Sequence, residues 1–176
     1  MKSLEKQGVR PISHGRGGMV LKSLISCKMD LENIDNNYLP VTESYEVTMN
    51  NMAENSGNEL IFLPLFYEQI KENPFKMEER KCPVDFGYKS DNTVIVTINL
   101  PDGYQLSALP ASVNLRLEGG EASYLFQAVQ TNAIIKLTSR FSIGKSLFLP
   151  EEYAKLREFY NQVILKQSEP IILKKL

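Results

Sequence analysis

At 176 residues and 20.0 kDa, the chain is long enough for one domain with a sizeable core, or for one domain and a short leader. Its 20 basic and 21 acidic residues leave a formal charge of −1, so no global field draws it to nucleic acid or to anionic lipid. The longest apolar run, LIFLPLF at 60–66, is far shorter than the ~20 residues of a membrane-crossing helix.

Residues 1–18, MKSLEKQGVRPISHGRGG, mix Pro, Gly and charge without periodicity and read as a flexible leader. They hold no apolar h-region, so the chain as written is not expected to be exported by itself. Residues 19–176 read as one domain built from short segments of period two, the pattern of strands with one buried face. SYEVTM at 44–49 alternates Tyr45, Val47 and Met49 with Glu46 and Thr48. A polar loop, NNMAENSGN, leads to NELIFLPLF, a more buried strand that Pro64 ends or places at an edge. PLFYEQIKENPF has room for a short helix closed at Asn73-Pro74.

The strand NTVIVTINL, 92–100, sets Val94, Val96, Ile98 and Leu100 on one face. SVNLRLEG turns Val113, Leu115 and Leu117 inward. It pairs naturally with ASYLFQAV (Tyr124, Phe126) and AIIKLTSRFSI (Ile135, Leu137, Phe141, Ile143) through turns at Gly119-Gly120 and Thr131-Asn132, an antiparallel meander. LPEEYAKLREFYNQVILKQ, 149–167, breaks the pattern. Pro150 suits a first helical turn, Glu151 and Glu152 suit its positive end, and Tyr153, Leu156, Tyr160 and Val163 form a stripe that Phe159 and Ile164 widen. The spacing predicts a helix over about 150–167, stopped by Pro170 and followed by an extended EPIILKK.

Groups able to do chemistry are sparse. A nucleophilic cysteine needs a lowered pKa and a histidine in reach. The only histidine, His14, lies in the leader ahead of both Cys27 and Cys82, and Pro83 removes the backbone N–H after Cys82. Cys82 and Cys27 are therefore expected to be structural, and two cysteines make no disulfide framework. One His and two isolated Cys supply no metal-ligand pair. Gly144-Lys145-Ser146 resembles the tail of a phosphate loop, but Ser139 stands where the first glycine is needed. Ser142 and Lys145 have the spacing of serine acyl-enzymes, yet they span a strand end instead of a helix. Asp85, Asp91 and Asp102 are expected to form turns, and Gly15-Arg16-Gly17-Gly18 reads as a flexible stretch.

Taken together, the motifs NPF followed by EERK.PVDFGY, LP.GY before LP.SVNL, and PEEY..L.EFY..V..KQ.E.I.LKK resemble the C-terminal domain of large bacterial envelope proteins. Such proteins carry an N-terminal β domain, a transglutaminase-like core and this closing β domain of unknown function. The resemblance covers about the last 110 residues well and YLPVTESYEVTM more loosely. It implies a core using Cys, His and Asp in that chain order, N-terminal to the part present here. With His14 ahead of both cysteines, no family catalytic residue carries over to any position. It also implies an aromatic residue where Cys82 stands, hence a core or half-core role for that side chain, and a periplasmic or envelope location for a full-length parent.

The expected fold is mainly β: a two-layer antiparallel β-sandwich, immunoglobulin-like in one form, with a C-terminal amphipathic helix packed on or beside it. An α+β single sheet is the alternative. The expected function is that of a non-catalytic accessory domain, with no catalytic, cofactor-binding or metal-binding residue. It would contact a transglutaminase-like or protease-like core or another envelope protein, and an unpaired sheet edge would favour a weak homodimer. Two competing readings are a thiol hydrolase using Cys82 or Cys27 with His14, and a carbohydrate- or peptide-binding module. The latter calls for exposed aromatics, whereas the chain has no Trp and most of its Tyr and Phe fall on inward positions.

Overall fold

Alternating apolar side chains build the first sheet. The computed structural model describes residues 24–66 and 69–176. Within them β8 (Val113–Arg116), β9 (Ala122–Thr131) and β10 (Ile134–Ile143) form the expected antiparallel meander. Gly119, Gly120 and Asn132 take positive φ at its turns, which Gly and Asn tolerate best. The strand β6 (Ser90–Asn99) pairs with β10 on the far side, giving the order β6-β10-β9-β8. Ala122, Tyr124, Phe126, Ile135, Leu137 and Ile143 are buried on one face. Lys136 and Arg140 lie on the other, where Ile95 and Val129 are isolated exposed apolar residues.

A second sheet, in the order β3-β4-β12-β7, combines β3 (Ala53–Ser56), β4 (Glu59–Phe62), β7 (Tyr104–Ala108) and β12 (Ile171–Lys175), all antiparallel. Pro64 ends the apolar run after β4, an internal strand. Ile171 and Leu173 of β12 pack on Ile135, with Leu60, Phe62, Ile98 and Leu106 around them. The architecture is thus mainly β and sandwich-like.

The predicted helix is present: a 3-10 turn, Pro150–Glu152, runs into α1 (Tyr153–Gln167). Its buried residues Tyr153, Leu156, Phe159, Tyr160 and Val163 join Tyr124, Phe126, Leu137 and Ile143 in the larger core. Helix and second sheet therefore cover the same face of the first sheet side by side, because β10 gives Leu137 and Ile143 to one cluster and Ile135 to the other. Glu152 starts the helix by accepting the Leu149 N–H at 2.7 Å. Lys145 donates to Glu152 and, at 2.9 Å, to Glu121, tying the helix start to the first sheet.

No helix forms over the described part of 63–76. The polar groups of this stretch go instead to α1: Gln167 accepts the Ile70 N–H at 2.7 Å, and Asn73 donates to the Arg157 carbonyl and to Asn161. Phe75 then meets Phe86, Tyr153 and Tyr160 edge-on at centroid distances of 6.3, 5.7 and 5.0 Å. The short strand β5 (Val84–Asp85) pairs with β11 (Leu147–Phe148), seating Phe86 against Phe148. At the centre, Ser139 donates to the Tyr124 hydroxyl at 3.1 Å, and Gln167 also bonds that tyrosine. Burial pushes the Tyr124 phenol pKa up.

The leader, residues 1–18, lies outside the described residues. At the described N-terminal end, β1 (Leu24–Glu32) and β2 (Thr42–Met49) form a separate antiparallel hairpin.

Replacing Gln167 by Met keeps the volume of this side chain but removes the acceptor for Ile70. Amide hydrogen exchange at Ile70 is expected to accelerate by about tenfold, while amides in β10 stay protected. Equal acceleration in both places would mean that Gln167 supports the whole fold and does not latch one segment. Leu156→Ala, at a fully buried helix position, is expected to cost about 2–5 kcal/mol in urea unfolding.

Lys145 holds the Glu152 carboxyl below its ordinary 4.5, aided by the Leu149 N–H, and Lys155 does the same for Glu118. A carboxylate with a depressed folded pKa stabilises above its unfolded value, and that contribution is lost as pH falls through the folded one. Lys145 itself, raised above 10.5 by Glu121 and then Glu152, contributes below that value and stops contributing only as pH rises through its folded pKa. Between about pH 6 and about pH 3 the wild type should therefore lose more melting temperature than Lys145→Met. Equal losses would show that the network is not linked to folding.

Candidate functional site

The polar residues that resemble catalytic motifs hold the fold together. Lys145 is engaged by two carboxylates that favour its charged form, which is the wrong form for a general base toward Ser142. The Gly144 N–H donates to the Glu121 carbonyl, and a Cβ there would stand 3.0 Å from the Gly120 carbonyl oxygen. The stretch 144–146 thus closes a sheet end. Asp91 pairs with Arg140, whose guanidinium holds its carboxyl below the usual value, and Asp85 accepts the Gly87 N–H at 2.8 Å in a turn. Asp102 is exposed in the turn before Gly103.

Cys82 is exposed, which corrects its expected place in the core or half-core. It sits in a bend before β5, where Val84 is the residue turned inward, and Arg80 donates to its carbonyl at 3.1 Å. Cys27 lies on β1 opposite Val47, with its side chain outside the described part. His14 and Gly15-Arg16-Gly17-Gly18 also lie outside the described residues. Among the described residues no group of three or more His, Cys, Asp or Glu is placed to hold a metal ion, and no helix is long and apolar enough to cross a membrane.

What the structure does bring together is apolar surface. The register of the hairpin sets Met29 opposite Tyr45 and Leu31 opposite Glu43 on one face, with Lys28 opposite Glu46 and Asp30 opposite Ser44 on the other. The first face is left open, with Met29 51% and Tyr45 44% exposed. Beyond the hairpin tip, Ile34, Tyr38, Leu39 and Val41 are also exposed. Following Tyr45 and Val47 along β2, the apolar face reaches Met49, which lines a groove of about 350 Å³. Leu60 and Phe62 of β4, Val96 and Ile98 of β6, and Met52 and Phe66 of the flanking loops complete most of its wall. Met52 and Phe66 stand 38% and 44% exposed at its mouth.

Alternation in β2 predicts one buried face carrying Tyr45, Val47 and Met49, which conceals this surface in the sequence, whereas Tyr45 is exposed and Val47 and Met49 are half-buried. A usable signal existed in the charge distribution: residues 24–66 carry Lys28 alone against Asp30, Glu32, Asp35, Glu43, Glu46, Glu54 and Glu59. The expectation that most aromatics point inward holds among the described residues, where Tyr38, Tyr45 and Phe66 on the hairpin and groove, and Tyr88 elsewhere, are the exposed ones.

Among solved structures, a crystal structure of a "putative protease" from Parabacteroides distasonis is similar, at 12% identity and a TM-score of 0.48, over 56% of this chain and 19% of that one. The chain thus spans about a fifth of the length of that structure. No curated protein matches the sequence. The family described as "Domain of Unknown Function with solved-structure structure (DUF3858)" matches residues 58–173, from the start of β4 into β12 and past the hairpin. With both sheets' central strands and the helix inside that span, the chain belongs to the DUF3858 family.

Proposed function

We propose that this domain is a non-catalytic accessory module that works by contact, seated against a transglutaminase-like or protease-like core or another envelope protein. The observation that carries the reading is the apolar strip from the hairpin into the groove, because exposed contiguous apolar surface rimmed by polar groups is the usual mark of an interaction site. The polar clusters point the same way: Lys145, Asp91, Asp85 and Gln167 are each committed to holding elements in place. An envelope location for the parent and an accessory role beside a core rest on the sequence resemblance described above.

The reading is tested by mixing the full chain with a transglutaminase-like core from a multidomain protein that carries a domain of this family. The core's melting temperature is expected to rise, and Met52→Ser, at the groove mouth, to abolish the rise. A core indifferent to the chain would remove the accessory reading.

The thiol-hydrolase alternative is separated by alkylation. Exposed Cys82 should react with iodoacetamide in the folded state at the rate of an ordinary thiol, unchanged by His14→Ala. A fall of about tenfold in that variant would indicate an activated thiolate and favour the enzyme.

A further inference from the structure

We propose that the open face of the β1–β2 hairpin and the groove beyond Met49 form one docking surface, and that its occupant is an extended polypeptide segment of a partner protein alternating apolar and basic side chains. The inference rests on the accessory reading and names the chemistry of the contact.

Three observations fix that chemistry. The apolar strip is continuous, because Tyr45, Val47 and Met49 share one face of β2 and Met49 belongs both to the strand and to the groove. From Tyr45 to Met49 this strand contributes about 14 Å of length.

The occupant is extended because β6, which supplies Val96 and Ile98 to the groove wall, is an edge strand with no neighbour on its outer side among the described residues. A segment hydrogen-bonded to that edge would send every second side chain the same way as Val96 and Ile98, into the groove. The remaining side chains would point away from it.

The occupant is basic because the surrounding segment 24–66 holds one lysine and seven acidic residues, all exposed except the half-buried Glu59. Lys28 is already bonded to Glu46 at 2.9 Å, and Lys174, opposite Glu59, and Lys175 are the basic residues contributed by the neighbouring strand β12. The potential over the hairpin is therefore negative. It should attract alternate lysines or arginines and repel carboxylates within a Debye length of about 8–10 Å.

The probes are two fluorescein-labelled peptides of about nine residues, near the upper length of ordinary strands. One alternates Val and Lys and the other Val and Glu; each is titrated against the full chain by fluorescence anisotropy. The Val/Lys peptide is expected to bind at least about tenfold more tightly than its acidic counterpart and to weaken several-fold between about 50 and about 300 mM salt. Met52→Ser and Phe66→Ser should each weaken it through the groove, and Glu43→Gln with Glu54→Gln through the charge. Unchanged circular dichroism melts would show that these surface variants fold.

Equal binding of the two peptides, or binding of neither, overturns the proposal. So does a dimer in sedimentation that Met52→Ser disrupts while neither peptide binds, since the surface would then belong to a second copy. Loss of peptide binding with the core's melting temperature still raised would sink this inference alone. An indifferent core with tight peptide binding would sink the accessory reading and leave the surface chemistry standing.

Discussion

The organisation of the domain depends on how one face of the β6-β10-β9-β8 sheet is removed from water. Neither the helix nor the second sheet covers it alone. Along β10, Ile135 lies under Ile171 and Leu173 of β12, while Leu137 and Ile143 lie in the cluster formed with Leu156, Phe159, Tyr160 and Val163 of α1. Only residues 168–170 separate α1 from β12, so the two coverings are consecutive in the chain and act as one layer. Each fully buried aliphatic or aromatic side chain in such a layer contributes about 1.5–3 kcal/mol relative to exposure. Losing the register of either covering would uncover the face under both.

Polar groups trapped by that layer decide its register. Ser139, opposite Phe126 in the β9–β10 register, reaches diagonally to the Tyr124 hydroxyl inside the core, and Gln167, in the last turn of α1, reaches the same phenol while accepting the Ile70 N–H. A buried polar group left unpaired costs about 1–3 kcal/mol, so a helix shifted by one turn would be penalised at Gln167 and at Ile70 together, while Tyr124 keeps Ser139. Lys166 is treated similarly: only 9% exposed, it carries its charge out to Glu169 at 2.6 Å with its ammonium over the Phe126 ring. The stretch 69–86 is then fastened to the helix by Asn73 and Phe75. Sequence patterns such as NPF and PVDFGY, which carry the family resemblance, are accounted for here by packing and turns.

This division explains what could be read from the residues. The meander β8–β10, the helix with Pro150 at its start and the return strand β12 all have strong periodicity or caps, and each appears within a residue or two of its expected place. Alternation identifies a strand's buried face but says nothing about its neighbour. That β6 lies beside β10, or that β7 and β12 belong to the second sheet, was therefore not legible. Among the described residues the short helix expected before Asn73 does not form, because Gln167 and Asn161 compete successfully for the local polar groups, a long-range effect invisible in the segment itself. The inward place expected for Cys82 rests on the resemblance, which implies an aromatic residue at that position, and on the usual burial of cysteine, whereas the two-residue pairing of β5 with β11 turns Val84 inward instead. For the candidate surface, the imbalance of acidic residues over 24–66 was legible and the groove was not.

The groove opens where the second sheet meets the free edge of the first, lined by Leu60, Phe62 and Leu173 from one and by Val96 and Ile98 from the other, with no residue of α1. On β6, Val96 packs with the cluster that contains the helix, and Ile98, two residues on, packs with the cluster that contains the second sheet. Over the central strands β10 and β9, aromatic side chains fill the space under the helix, with Phe141 lying against Tyr124, Phe159 and Tyr160. At β6 no further strand stands beside the seam among the described residues, and the gap opens to solvent between Val96, Ile98 and β4. The hairpin, whose two strands make no third pairing among the described residues, brings its apolar face to the same place through Met49. A two-stranded hairpin is marginal by itself in water, and a segment laid along both the hairpin face and the free β6 edge would remove both exposures at once.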